Sequence, residues 1–315
     1  MNLLFFKPIL KTRVWGGNTL ATQFRRALPK DTPIGESWEL VDRNEDQSIL
    51  LNGPQAGISL RELLKQSGKE ILGPKFKPGQ PFPLLIKWLD CQDTLSVQVH
   101  PKASVAGILG GQTKTENWYI VDREQDAKLY VGLKSGIQPE ELAQAANTTA
   151  IESMINAIPT NVGDSFLIKS GMVHSIGAGH LILEIQENSD TTYRLYDWNR
   201  LGLDGNPRDL HLKEALQSID YGLPPVTPCI HSDGATILAQ SEHFRITEYK
   251  LNPSEAPLEL NSSEGAKLLH LVKGSIEEAN SSQKLAIGDT ALQVYDKTLS
   301  LRSLKPSTLI VTDEF

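Results

Sequence analysis

The stretch TLSVQVHP, Thr94 to Pro101, sets the terms for the rest of the chain. Apolar and polar side chains alternate in it, Leu95, Val97 and Val99 against Ser96, Gln98 and His100, and a repeat of two marks a strand with one buried face. The pattern returns in HLILEIQE, where His180, Ile182, Glu184 and Gln186 oppose Leu181, Leu183 and Ile185. A helix cannot satisfy this spacing, so the chain is predicted to be mainly β. Gln98 and His100 then share one face two residues apart, which suits either a solvated polar face or the first half of a metal site.

Further strands are predicted in PLLIKWLD from Pro83, KTENWYIVD from Lys114, KLYVGL from Lys128, TTYRLYDW from Thr191 and, beyond residue 235, FRITEYKL and KLLHLVKGSIEEA. Lys87 inside an apolar strand reads as a lysine that reaches the surface. Residues 101–113 read as a flexible loop. Helices are expected near 59–67, where Ser59 and Glu62 form a capping box, at 139–158 with a break at Asn147-Thr148-Thr149, and at 211–220. Pro224, Pro225 and Pro228 make the clearest linker, dividing the chain into residues 1–230 and an all-β unit at 231–315. Gly163-Asp164 and Gly288-Asp289 echo one another between apolar strands, as expected of one β unit that occurs twice. The second copy has no histidine where the first has His174, so any metal chemistry belongs to the first.

With 31 basic and 38 acidic residues the net charge is -7, which argues against nucleic acid or anionic lipid as a partner. An anionic substrate must be caught by a local cluster of Lys and Arg. The two cysteines, Cys91 and Cys229, cannot build a disulfide framework or a cysteine zinc cluster and suit a reducing compartment. The apolar run in MNLLFFKPILK is broken by Lys7 and Pro8 and is too short for a signal or a span, so a cytoplasmic protein is expected.

Polar residues on the predicted strands gather into one list: Gln98, His100, Lys114, Glu116, His174, Glu184 and Arg194. Two imidazoles and a carboxylate suit a catalytic zinc site and equally the facial triad of non-haem iron enzymes. Lys114 and Glu116 also read as simple salt-bridge formers. His180, His211, His231, His243 and His270 are assigned to the surface or the core.

The segments WGG (Trp15 to Gly17), IGESWEL (Ile34 to Leu40), SVQVHP (Ser96 to Pro101), KTENWYI (Lys114 to Ile120), GMVHSIGAG (Gly171 to Gly179) and LEIQENSDTTYRLYDW (Leu183 to Trp198) resemble, in order, the type I mannose-6-phosphate isomerases in their short bacterial form. The resemblance covers most of residues 1–200 and is loose over 235–315. It implies two cupin-type jelly-roll β-barrels with a small helical insertion, 1–230 being catalytic and 231–315 a metal-free cupin-like unit. It implies one Zn2+ per chain on Gln98, His100, Glu116 and His174, and catalytic roles for Arg194, Lys114 and Glu184. Lys169, Ser175 and Asn117 depart from the family pattern without removing a ligand.

The implied activity is interconversion of mannose 6-phosphate and fructose 6-phosphate through an enediol, by a monomer or weak homodimer whose partner is a small sugar phosphate. Two other readings stay open: a sugar-phosphate-binding cupin without catalysis, and an iron-dependent cupin oxygenase using His100, Glu116 and His174. The base, Glu184 or a metal-bound water, and the phosphate-binding residues are left open among Lys87, Lys114 and Arg194.

Overall fold

Strands dominate the computed structural model, which describes residues 2–232, 234–281 and 283–315. They form three antiparallel sheets. A six-stranded sheet runs in the order Ser165–Ile168, Glu116–Arg123, His180–Glu187, Leu84–Cys91, Ile34–Leu40, Ile9–Gly17. A five-stranded sheet runs Tyr193–Tyr196, Val97–Val99, His174–Ile176, Lys128–Leu133, Ile155–Pro159. The two pack face to face through Leu89, Trp118, Ile120 and Ile182 on one side and Leu129, Val131 and Ile176 on the other. This sandwich holds the polar strand residues named above.

Alternation decides what each sheet does with its outer face. Val97, Val99 and Leu195 lie under the helices Pro139–Ala145 and Leu212–Ser218, meeting Leu142, Ala145 and Ala215. On the six-stranded sheet, Ile86, Trp88, Leu181, Leu183 and Ile185 meet helix Leu60–Leu72 and the third sheet, at Ile246, Leu268, Leu292 and Ile310. Burial of whole apolar side chains on this scale contributes about 1.5–3 kcal/mol each before chain entropy is counted.

The third sheet has nine strands, among them Lys267–Glu278, Thr290–Gln293 and Thr298–Asp313. Leu3–Lys7 and Ile49–Leu50 complete it, Leu3 pairing with Gln293 and Phe6 with Leu50. The C-terminal sheet is therefore closed off by the other end of the chain. The expected mainly β class holds, with the six- and five-stranded sheets as the two packed layers of a jelly roll, and among the described residues no sheet closes into a barrel.

The echoed glycine-aspartate turns have one construction. Gly163 and Gly288 stand at φ 96° and 90°. Asp164 and Asp289 each accept a hydrogen bond from the backbone N–H three residues earlier, at 2.7 and 2.8 Å. Gly163 donates to Ile120 O and Gly288 to Leu271 O, each at 2.8 Å, and the backbone N–H groups of Ile120 and Leu271 donate back to the turn aspartates. Ile120 and Leu271 are thus equivalent. Counting back four residues gives Glu116 in the first copy and Lys267 in the second, and ten residues past the aspartate stand His174 and Leu299.

Local expectations needed revision in five places. The strand in the opening stretch begins only at Val97, so Leu95 turns inward to Trp15 and Leu89 instead of lying beside Val97 and Val99. Helix Leu60–Leu72 runs past Ser67, which is non-helical, because Gly68 has no Cβ to collide with the Phe76 ring. Its cap is half the predicted box: Ser59 accepts from Glu62 N, while Glu62 binds Gln66 instead of reaching back. The segment expected to be helical to 158 does break near Asn147 into two short helices, Pro139–Ala145 and the 3-10 helix Thr149–Met154, but it then becomes the strand Ile155–Pro159, because pairing with Lys128–Leu133 overrides local propensity. Residues 101–113 contain the short helix Ala103–Ala106. No helix among the described residues is long and apolar enough to cross a membrane.

Candidate active site

Gln98 and His174 are direct cross-strand partners, and so are Gln98 and Arg194. Residues directly opposite in a sheet project from the same face, so register alone brings these three together. His100 follows on the same chain just past Val97–Val99, and Glu116 opens the facing strand Glu116–Arg123. His100, Glu116 and His174 are all buried and offer ligand atoms within 4.8 Å of one another.

Both imidazoles are oriented by backbone carbonyls. His100 Nδ1 donates to Thr191 O at 2.7 Å and His174 Nδ1 to Met172 O at 2.9 Å. A carbonyl only accepts, so each Nδ1 carries the proton and each Nε2 turns a lone pair inward. Those Nε2 atoms stand 3.5 Å from Glu116 Oε2 and Oε1 respectively. Burial, together with Lys114, pushes the His100 imidazole down to about 4, and burial lowers His174 as well. Burial alone would raise the Glu116 carboxyl, but Lys114 and the two histidines outweigh it and hold it well below the usual carboxylate range. Two neutral imidazoles and one anion result.

Neither oxygen of Glu116 has a hydrogen-bond partner. The Lys114 ammonium is 2.9 Å from Oε2 and 3.3 Å from His100 Nε2, an ion pair out of line for a hydrogen bond to the carboxylate. Burial would lower Lys114, yet Glu116 and Glu184 raise it further, so it stays a cation. An ammonium lodged beside Glu116 Oε2 and His100 Nε2 shows that the cluster accepts positive charge. Gln98 lies alongside, its Nε2 donating to His174 Nε2 at 3.2 Å while its Oε1 accepts from Ser96 at 3.1 Å.

Gln98, Lys114, Glu184 and Arg194 line one cavity of about 610 Å³, a size suited to a small-molecule substrate. Glu184 is fixed by Lys87 at 2.8 Å and by the Trp118 indole at 3.1 Å. Lys87 is buried in that pair and does not reach the surface. Arg194 makes no ion pair among the described residues, and its buried Nε has no partner. Sequence reasoning named these seven residues but missed Arg13, Asp190, Arg208 and His211, which line the same cavity. His211, taken for an ordinary histidine, accepts from the Arg194 backbone N–H at 3.3 Å. No alternation or spacing marks the four, because they come from strand edges and loops.

The pattern of the type I phosphomannose isomerase catalytic domain matches residues 3–132. The mannose-6-phosphate isomerase ManA of Bacillus subtilis is 37% identical over 258 residues, 80% of either chain. The mannose-6-phosphate isomerase of Streptococcus mutans is 34% identical over 259 residues, 80% of this chain and 79% of its own. The crystal structure of the mannose 6-phosphate isomerase from Bacillus subtilis superposes with a TM-score of 0.86 at 29% identity, covering 99% of this chain and all of that one. Fold, buried cluster and these likenesses agree, and the chain belongs to the type I phosphomannose isomerase family.

Proposed function

We propose that this chain interconverts mannose 6-phosphate and fructose 6-phosphate through an enediol, with zinc on His100, Glu116 and His174 and with Gln98 as a fourth ligand once its amide turns the oxygen inward. The observation that carries the metal is the Glu116 carboxylate, wholly buried between two inward lone pairs and without a hydrogen bond to either oxygen. A buried carboxylate facing two imidazole lone pairs is costly unless cations meet it, and the Lys114 ammonium, out of line for a hydrogen bond, meets only Oε2. Two imidazoles, a carboxylate and an amide oxygen are donors that suit zinc.

When bound, the ion supplies Lewis-acid polarisation of the substrate oxygens, worth several kcal/mol of charge stabilisation. The chain's own residues do the rest. Arg194, free of any ion pair among the described residues, stabilises negative charge growing on the C1 and C2 oxygens. Glu184, oriented by Lys87 and Trp118, takes the C–H proton and returns it to the neighbouring carbon. Lys114, an ammonium beside Glu116 and His100 at the edge of the cavity, moves a proton between the two oxygens.

The same reading assigns the metal to residues 1–230 and none to 231–315, since Lys267 and Leu299 stand where Glu116 and His174 do. It also favours a cytoplasmic monomer or weak homodimer. Fructose 6-phosphate formation from mannose 6-phosphate, followed by a coupled reductase, tests the activity. It should be lost on chelation and recovered with zinc, with zinc and not iron found by elemental analysis. Turnover indifferent to chelator overturns the metal role.

A further inference from the structure

Five cationic side chains line the cavity: Arg13, Lys87, Lys114, Arg194 and Arg208. Arg13 is fully engaged, with Nε and Nη2 on Glu36 at 2.9 and 3.0 Å and Nη1 on the Thr12 carbonyl at 3.2 Å. Lys87 and Lys114 meet Glu184 and Glu116. Arg208 differs. It binds Asp197 through Nε at 2.6 Å and Nη2 at 2.5 Å, and its Nη1 has no hydrogen bond among the described residues.

The backbone is bent to put Arg208 there. After Asp197 the chain passes through Trp198 and Asn199, both left-handed at φ 57° and 55°, a conformation disfavoured for any residue with a Cβ and most of all for a bulky one. The Trp198 indole holds the turn by donating to Leu95 O at 2.7 Å and packing beside Tyr130 and Tyr196. An arm leaves at Arg200, is closed by the bridge between Leu201 and Pro207, and comes back at Arg208. Asp197, 6% exposed, receives Arg200 as well as Arg208. Arg194 and Arg208 line the same cavity, and after burial the Arg208 charge also lowers the Arg194 guanidinium. Asp190 and Asp197 act on Arg194 only from beyond ion-pair distance, and Asp204, which also lines the cavity, accepts from Asn206 in its own turn.

We propose that Arg208, positioned by Asp197 on this strained turn, binds the phosphate monoester group of the substrate and sets the preference for phosphorylated sugar. This rests on the isomerase reading above. Arg194 stands opposite Gln98 and serves the end of the sugar that reacts. The phosphate sits at the other end of an open-chain hexose, so its anchor belongs away from the ligand cluster, on the arm. A planar guanidinium with one edge fixed by a carboxylate and another N–H free is pre-oriented for a tetrahedral dianion.

Kinetics on the zinc-loaded enzyme test it. Arg208→Met should raise KM for mannose 6-phosphate roughly 10- to 100-fold, the loss expected for a charge-assisted hydrogen bond, while kcat stays within about threefold. Inhibition by inorganic phosphate should weaken in parallel, and zinc content should not change. Arg208→Lys should recover part of the loss, and Asp197→Asn should move KM the same way by less. A fall in kcat at unchanged KM, or unchanged phosphate inhibition, overturns the assignment. Should Arg208→Met fail to fold, the Arg208→Lys and Asp197→Asn values decide, and wild-type KM in both overturns it. A wild type inert toward mannose 6-phosphate would sink the isomerase reading instead. Calorimetric titration of inorganic phosphate into wild type and Arg208→Met then tests the anion site alone, where equal affinity overturns it.

Discussion

Glu116 shows how much one buried side chain can dictate. Glu116→Gln keeps its volume and removes the charge two imidazoles point at, so metal affinity should fall by more than the roughly 10–100-fold that loss of an outer-shell partner costs. Arg194→Ala should keep the metal and lose turnover, and a near-normal rate in that variant would remove the role given to it. Lys114 pairs with the carboxylate that the proposed metal would need. Lys114→Met should therefore bind zinc at least as tightly as wild type, by titration against a chelator, while turnover collapses. A metal-depleted Lys114→Met would mean that the ammonium supports the site instead of competing for it.

Another buried imidazole matters for stability. His270 is enclosed between Thr290 and Thr312, at 3.0 and 3.3 Å, and burial holds it down to about 3 against an ordinary 6.5. Below 6.5 the unfolded chain takes up a proton that the native state refuses, so the stability due to neutral His270 is complete above about 6.5 and drains away as pH falls toward 3. The loss is on the order of a few kcal/mol. Urea midpoints between pH 7 and 4 should fall less steeply in His270→Gln than in wild type. The donors of the buried His100, Glu116 and His174 cluster were readable because alternation and the family motifs single them out. The His100 tautomer, the Lys87 pair and the His270 enclosure were not, since each depends on a partner 20 or more residues away, and the His174 tautomer depends on how the backbone at Met172 turns.

At the scale of elements, the repeated turn makes one motif carry two different loads. A Cβ on Gly163 comes no nearer than 3.8 Å to another atom, whereas on Gly288 it would meet the Phe24 ring at 2.5 Å. Gly163→Ala should cost only the left-handed backbone, about 1–2 kcal/mol. Gly288→Ala adds overpacking and should cost roughly 2–5 kcal/mol. Equal shifts in urea midpoint would contradict this. The Gly288 carbonyl also accepts from Trp88 and Arg26, so the second turn is part of the seam between sheets. Gly-Asp between apolar strands was visible as an echo in the chain, and strand existence was visible from period two. Strand starts were not, as Leu95 and Ile155 show, because hydrogen-bond pairing with a distant strand sets where a ladder begins.

At the scale of the whole molecule, the proline linker suggests two units, yet Leu3–Lys7 pairs with Thr290–Gln293 and Leu3 is buried among Leu269, Leu271 and Leu309. All five tryptophans, by contrast, lie before residue 230. Leu3→Ala opens a cavity in the C-terminal sheet and should cost about 2–5 kcal/mol. Because the sheets share one apolar seam, the tryptophan fluorescence transition should move with it, in step with far-ultraviolet circular dichroism. A tryptophan transition that stayed put would show that the two halves unfold independently.

What the chain by itself determined is whatever repeats or alternates locally: a mainly β fold, which face of each strand is polar, the duplicated turn, and the seven polar side chains able to do chemistry. These follow from side-chain direction along an extended backbone, a property of neighbouring residues. Only the tertiary structure decided that Gln98, His174 and Arg194 share one register, that Glu116 faces them from another sheet with its oxygens unsatisfied, and that a strained turn brings Arg208 to the same cavity. Those are consequences of pairing and burial between segments far apart in the chain, where loop closure and packing, not local pattern, set the geometry.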